Sequence, residues 1–107
     1  MDMITSTSFD AMRKNSGKAA DYLAMLSSRP RLLILCHLVE DGELSVGELS
    51  DRVGLSQSAL SQHLAKLRGQ ELVAFRRQAH SLYYRVEDAR AERLLKVLHE
   101  LFCEEGR

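Results

Sequence analysis

The chain has 107 residues, of which 45% are hydrophobic and one is proline, so residues 1–107 suit a single compact domain that is small enough to favour dimerisation. No segment approaches the roughly 18 consecutive apolar residues of a membrane-spanning helix. The N-terminus also lacks the basic start and apolar run of a secretion signal, so we expect a cytoplasmic protein without a membrane partner. The formal net charge of zero excludes a uniformly basic nucleic-acid-binding protein.

The first part of the chain has the apolar pattern of two helices. Residues 8–27 repeat apolar side chains at the helical spacing of about 3.6 residues, and we predict that this helix takes part in a dimer interface. Pro30 suits the first turn of a second helix over residues 31–40, where its missing amide is not needed. The apolar face of the second helix includes Cys36, whereas His37 lies to one side.

Residues 45–68 have the pattern of two short helices joined by a tight turn. Ser45 and Glu48, three residues apart, are typical of a capping box that begins a helix. Gly54 can adopt the left-handed conformation that ends this helix, and Ser56 can cap the next one, so the two helices meet at a steep angle. This arrangement is the helix-turn-helix pattern of DNA-binding proteins.

The second of these helices has one apolar and one polar face. A rotation of about 100° per residue places Leu60, Leu64 and Leu67 on the apolar side. A polar helix face is more often an ordinary solvated surface, but the capping box and tight turn beside it favour insertion into a DNA major groove. The residues predicted to contact or approach bases are Ser58, Ser61, Gln62 and Lys66.

After this helix, residues 72–77 and 82–86 have the two-residue alternation of β-strands, joined by a turn at residues 78–81. We predict a hairpin wing whose basic side chains contact the DNA backbone or a minor groove, and a solvated basic hairpin is the alternative. The residues predicted to hold phosphates are Gln57, His63, Arg76, Arg77 and His80. His63 lies toward the buried edge of its helix, so packing fits its position as well as DNA contact does.

The distribution of charge agrees with this interpretation. Residues 56–85 contain five Lys or Arg and one Asp or Glu, whereas acidic residues outnumber basic ones in both flanking segments. Positive charge is therefore concentrated where DNA is predicted to bind.

A final helix is predicted from Asp88, a suitable N-cap, with a broad apolar face that packs on its own core and on a second copy of the chain. Cys103 lies off this face, beside His99 and Lys96, so it should be more accessible than Cys36. A permanent bridge between the two cysteines is not expected in a reducing compartment. They are either inert core thiols or a switch.

The predicted order of five helices, with a hairpin between the fourth and the fifth, resembles the ArsR/SmtB family of dimeric winged helix-turn-helix regulators. The same resemblance is carried by two strings, ELSVGELSDRVGLSQSALSQHLAKLR and LYYRV. It implies a mainly α homodimer with a two-stranded β-hairpin wing between helices 4 and 5. The strings SVGELS and LSQSALSQHL, with one Cys in the second helix and one near the end of the fifth, are most similar to the thiol- and persulfide-sensing branch.

Two metal sites familiar in that family are not matched here. Metal-sensing members have a string ELCVCDL in the region of the third helix, and the matching residues 43–49 are ELSVGEL, without either thiol. The fifth-helix site has an Asp followed by two His and a Glu or His; counting from Asp88 gives Arg90, Leu101 and Glu104, so both imidazoles are missing. We therefore predict no metal at either site and no cofactor.

The resemblance instead implies a dithiol switch. A persulfide, or another reactive sulfur or oxygen species, reacts first at the more accessible Cys103, and Cys36 then closes a disulfide or polysulfide bridge. The predicted function is a homodimeric transcription regulator, not an enzyme, whose affinity for double-stranded operator DNA depends on this pair.

Two alternatives keep DNA binding: a metal or haem effector held by Cys36 or Cys103 with His37 or His99, and a regulator without a thiol switch. A thiol enzyme using Cys103 and His99 would lack an oxyanion-stabilising glycine loop, a third orienting group and a Cys-x-x-Cys motif.

Overall fold

The computed structural model describes residues 6–103, and across this range the chain forms five helices and three strands. The helices are α1 (Ser6–Leu26), α2 (Arg29–Asp41), α3 (Val46–Val53), α4 (Gln57–Gly69) and α5 (Ala89–Phe102). The strands are β1 (Leu44–Ser45), β2 (Val73–Gln78) and β3 (Ser81–Val86). The predicted mainly α fold, with a hairpin wing between α4 and α5, is confirmed.

Local hydrogen bonds set the ends of the two helix-turn-helix segments. The amide of Glu48 donates to Ser45 Oγ at 3.1 Å, and the amide of Ser45 donates to the Glu48 carboxylate at 2.8 Å, which is the predicted capping box. Gly54 ends α3 in the left-handed conformation, with φ of 75°. Two residues later Ser56 Oγ accepts from the amide of Ala59 at 3.1 Å and begins α4. These caps fix the short turn between α3 and α4.

The sheet contains one more strand than the predicted hairpin. Its order is β1-β3-β2, and both pairings are antiparallel. In β1, Leu44 lies opposite Tyr84 of β3. A two-residue strand is too short to show an alternating pattern, so the sequence analysis missed it. The turn of the hairpin is also tighter than predicted, because Gln78 and Ser81 are paired in the sheet.

The core lies where α2–α5 meet the sheet. The three leucines predicted for the apolar side of α4, Leu60, Leu64 and Leu67, are all fully buried. Largest among the fully buried side chains are Ile34, Leu35, Leu38, Leu49, Leu60, Leu64, Leu67, Leu72, Leu95 and Val73. Burying one side of α4 leaves its opposite side facing away from the protein.

The second helix packs against several other elements. It packs against α5 on one side and against α3 and β3 on others. The helix that meets α5 therefore also contacts the helix-turn-helix segment and the wing. A change at the α2–α5 contact can be passed to both through α2. No helix within residues 6–103 combines the length and the apolar character needed to span a membrane.

Candidate functional site

The exposed side of α4 carries the residues predicted to face DNA. Gln57, Ser58, Ser61, Gln62 and Lys66 are all exposed. Ser56 Oγ accepts from the amide of Ala59 at the start of α4, and the partial positive charge of this helix end suits a phosphate. This surface combines polar groups of the kind that hydrogen-bond to base edges with a favourable electrostatic end.

His63 differs from these residues because it is half-buried. It lies between the exposed surface of α4 and the core, as expected from its position on the helix. Contact between His63 and a phosphate stays a prediction.

All three predicted phosphate-holding residues of the wing are exposed, and one of them is paired within the protein. Arg77 and His80 are exposed near the hairpin turn. Arg76 is instead paired within the protein: Nε and Nη2 donate to the two carboxylate oxygens of Glu43, each at 2.9 Å. Its guanidinium also lies over the ring of Tyr83, 4.9 Å from the centroid. Arg76 therefore holds the wing to the segment before β1, and a phosphate contact would have to share or replace that pair.

The pairing is reflected in the ionisation of Glu43. The hydrogen bond from Arg76 is the largest cause that lowers the pKa of the Glu43 carboxyl from its ordinary value of 4.5. The charged form of Glu43 is thus favoured by the folded wing.

A second arginine, not predicted from the sequence, supports the wing. The guanidinium of Arg68, in the last turn of α4, lies over the ring of Phe75 in β2, 4.8 Å from its centroid. This cation–π contact joins α4 to the wing. The signal in the sequence was weak, since a basic residue in a last helical turn is common without any such contact.

Cys36 lines a groove between α2 and α5, and Cys103 follows the groove-lining residues of α5 in the chain. Both are free thiols; Cys36 is half-buried and Cys103, directly after α5, is exposed, as predicted. The groove has a volume of about 310 Å³. Its lining residues are Cys36, Val39 and Glu40 from α2, and Leu95, Lys96, His99 and Glu100 from α5.

The ionisation of Cys36 depends on its neighbours in this region. Burial is the main cause that raises the pKa of the Cys36 thiol from its ordinary value of 9.0, followed by the negative charges of Cys103 and Glu40. A negative charge on Cys103 raises the pKa of Cys36 because like charges repel, and this repulsion is strong only over short distances. The fold therefore brings two thiols that are distant in sequence into electrostatic reach of each other.

The metal alternative receives no geometric support from the part of the chain that the structure describes. Within residues 6–103, no three or more His, Cys, Asp or Glu side chains are grouped so that they could hold a metal ion.

Comparison with known proteins identifies the family. Residues 28–74 match the family described as bacterial regulatory protein, arsR family. Transcriptional activator HlyU from Vibrio cholerae is 48% identical over 93 residues, which cover 87% of this chain and 85% of the relative. Biofilm growth-associated repressor from Xylella fastidiosa is 41% identical over 92 residues, which cover 86% of this chain and 80% of the relative.

Solved structures show the same likeness in three dimensions. Reduced HlyU from Vibrio cholerae matches with a TM-score of 0.81 at 48% identity, covering 88% of this chain and 98% of that chain. The repressor BigR from Xylella fastidiosa matches with a TM-score of 0.81 at 40% identity, covering 90% of this chain and 97% of that chain. The chain therefore belongs to the ArsR family of bacterial regulatory proteins and is a DNA-binding transcription regulator related to HlyU and BigR.

Proposed function

We propose that this chain is a homodimeric regulator whose affinity for operator DNA is controlled by the reaction of Cys36 and Cys103 with persulfides or other reactive sulfur or oxygen species. The observation that carries the proposal is the placement of two free thiols, half-buried Cys36 on α2 and exposed Cys103 directly after α5, on helices that pack against each other. Such a pair can be joined covalently when one thiol attacks an electrophilic sulfur and the other resolves the product.

The two thiols differ in a way that sets the order of reaction. Cys103 is exposed and can meet an incoming molecule first. The raised pKa of Cys36 disfavours its thiolate, the form that attacks sulfur, so Cys36 reacts slowly with molecules from solvent. We therefore assign the first attack to Cys103 and the resolving step to Cys36.

The reaction with an organic persulfide, R–S–SH, balances without a further oxidant. The Cys103 thiolate attacks the outer sulfur, the S–S bond of the persulfide breaks, and RS⁻ leaves. Cys36 then attacks Cys103 Sγ and displaces HS⁻, which departs with the proton of Cys36 as H₂S. The persulfide is reduced to RSH and H₂S while the two thiols are oxidised to a disulfide. If Cys103 takes up a second sulfur from another persulfide before Cys36 attacks, the bridge is a trisulfide. Two persulfides are then converted to two RSH and one H₂S.

The packing of α2 provides a route from the thiols to the DNA-facing surface. Because α2 contacts α5, α3 and β3, a covalent link between α2 and α5 changes the placement of elements that support α4 and the wing. A coupling free energy of about 1–3 kcal/mol is typical for regulation of this kind.

The proposed dimer is supported by apolar side chains that the single chain leaves uncovered. Six large hydrophobic residues of α1 and α5 are exposed to between 47% and 80%: Phe9, Met12, Leu23, Val97, Leu101 and Phe102. A second copy of the chain would bury these two helices in a symmetric interface. Two α4 helices in such a dimer could enter successive major grooves, which are about 34 Å apart.

The test joins chemistry to DNA binding. An operator is first selected by enriching random duplexes on the reduced protein. The wild type, Cys36→Ser and Cys103→Ser are then treated with glutathione persulfide or with hydrogen peroxide. Intact-protein mass spectrometry and DNA affinity are measured on the same samples.

We expect the wild type to form an internal sulfur bridge and release DNA, with recovery after addition of a reductant. Both serine variants should keep their affinity under the same treatment, because neither can close the bridge. Cys36→Ala, which keeps the half-buried site apolar, controls for the polarity of serine and should behave like Cys36→Ser. Release of DNA from both serine variants would overturn the proposal.

A further inference from the structure

The groove between α2 and α5 has the size and the lining of a small-molecule site. Its volume of about 310 Å³ is at the lower end of the range of roughly 300–1,000 Å³ found for ligand pockets. Val39 and Leu95 supply an apolar surface, and Cys36 supplies a thiol. The groove is therefore larger than a peroxide or a hydrosulfide needs.

Both signs of charge surround this apolar surface. Glu40 from α2 and Glu100 from α5 contribute carboxylates, whereas Lys96 contributes an ammonium and His99 an imidazole. Lys96 lies 3.5 Å from Glu92, but both side chains are at least half exposed, so this pair is weak and can exchange for another partner. A ligand with one positive and one negative group would find complementary charges at the same groove.

The two thiols mark the position of the reacting atom. Cys36 lines the groove directly. Cys103 follows His99 and Glu100 on α5 by one helical turn, and its amide donates to the carbonyl of His99 at 2.9 Å, which fixes the end of that turn. A ligand sulfur held beside Cys36 and His99 would therefore be next to one thiol and within one helical turn of the residue that carries the other.

We propose that the α2–α5 groove is a recognition site for a zwitterionic organic persulfide, of the amino-acid or short-peptide type, which binds before it transfers sulfur. Its carboxylate pairs with Lys96 and His99, and its ammonium pairs with Glu40 and Glu100. Its short carbon stem packs on Val39 and Leu95. This inference rests on the proposed thiol switch and names the effector class for which the switch is built.

The binding step changes which molecules react rather than the chemistry itself. The outer sulfur still passes to Cys103, RS⁻ still leaves, and Cys36 still releases H₂S as the bridge closes. Holding the R group raises the local concentration of the sulfur at the thiols, so the rate of bridging should saturate with concentration. Molecules that carry only one of the two charges should bind more weakly and reach half-saturation only at higher concentration.

The experiment compares three persulfides that share the same reacting group. Cysteine persulfide has both charges, cysteamine persulfide lacks the carboxylate, and 3-mercaptopropionate persulfide lacks the ammonium. The rate of bridge formation is followed by quenched-flow mass spectrometry over a range of concentrations. We expect cysteine persulfide to reach half-saturation at a concentration about fivefold or more below either single-charge analogue, since each charge adds a modest ion pair.

Two charge-reversal variants on α5 separate recognition from general electrostatics. Lys96→Glu reverses a charge that lines the groove, and Arg93→Glu reverses a charge on the same helix outside the groove lining. Lys96→Glu should remove the advantage of cysteine persulfide over cysteamine persulfide, whereas Arg93→Glu should keep it. A direct binding measurement uses the double variant Cys36→Ser/Cys103→Ser, which cannot react. S-methylthio-cysteine should shift the NMR amide signals of residues 95–100 in this variant, and dimethyl disulfide should not.

The outcomes distinguish the two proposals. If no persulfide produces a bridge in the wild type, the thiol switch itself is wrong. If bridging and DNA release occur but the three persulfides react alike, or Lys96→Glu matches Arg93→Glu, the switch stands and the recognition site is overturned.

Discussion

Glu43 and Arg76, 33 positions apart in the chain, form a two-point ion pair with both N–O distances at 2.9 Å. The pair joins the residue before β1 to the middle of β2, so it ties the wing to the body of the protein. A positioned wing loses less conformational freedom on binding than a mobile one.

The first prediction concerns the pH dependence of this pair. The pKa of Glu43 is lowered in the folded protein by the hydrogen bond from Arg76, so the pair stabilises the fold above the ordinary pKa of 4.5. That stabilisation is lost as the pH falls through the lowered folded pKa. We expect Glu43→Gln to melt below the wild type at pH 7, and the difference in Tm to shrink under acid conditions. Glu71→Gln, at the start of the wing, is the control; an undiminished Glu43→Gln difference at pH 3 would contradict the assignment.

The second prediction separates base contacts from phosphate contacts. Gln62→Ala should weaken binding to the selected operator by about 1–3 kcal/mol and leave affinity for random DNA nearly unchanged, as for loss of a base contact. Arg77→Ala should lower the affinity for both DNAs and reduce the slope of log K against log salt by about 1. Fluorescence anisotropy at several salt concentrations measures both effects. Equal losses on the two DNAs for both variants would remove this division of roles.

The third prediction concerns the proposed dimer. Met12 is 59% exposed on α1, so Met12→Glu should leave the fold of one chain intact while placing a charge in the proposed interface. The variant should be monomeric at concentrations where the wild type is a dimer, and it should bind operator DNA at least tenfold more weakly, by about 1.4 kcal/mol or more, because two half-sites are no longer linked. Lys14→Glu, on the other side of α1, should remain dimeric. Sedimentation velocity and circular dichroism decide between loss of the interface and loss of the fold.

The fourth prediction concerns the hairpin turn. Ala79 has φ of 55°, a left-handed conformation that costs an L-residue about 1–2 kcal/mol. Ala79→Gly should remove this cost but add backbone entropy to the unfolded chain, for a net gain of up to about 1 kcal/mol in the free energy of unfolding. Ala74→Gly, at ordinary strand geometry in β2, should instead destabilise the protein. Urea denaturation measures both, and a loss of stability in Ala79→Gly would show that the turn is not strained.

Much of the local structure followed from neighbouring residues. The capping box of Ser45 and Glu48 and the left-handed Gly54 are found as predicted, because each depends on groups within three or four positions of one another. The relative exposure of Cys36 and Cys103 was also predicted. Helical spacing alone places Cys36 on the apolar face of its predicted helix and Cys103 off the apolar face of the last predicted helix.

Interactions between distant segments were not predicted. Strand β1 exists because Leu44 pairs with Tyr84, 40 positions away, and two residues carry no periodic signal of their own. Arg76 was assigned to phosphate from its charge and its place in the wing, yet Glu43 occupies its guanidinium. From the sequence alone, any of several acidic residues could have been the ion-pair partner of Arg76.

The sequence by itself determined the order and caps of the helices, the basic character of the α4–wing region and the position of each thiol on its helix. Only the tertiary structure decided that α2 packs on α5, which opens a groove with charged groups of both signs beside Cys36 and brings Cys103 within electrostatic reach. The physical reason is the range of the forces involved. Caps and helical faces depend on residues a few positions apart, whereas the groove depends on how α2 and α5, whose groove-lining residues are more than 50 positions apart, fit together in the core.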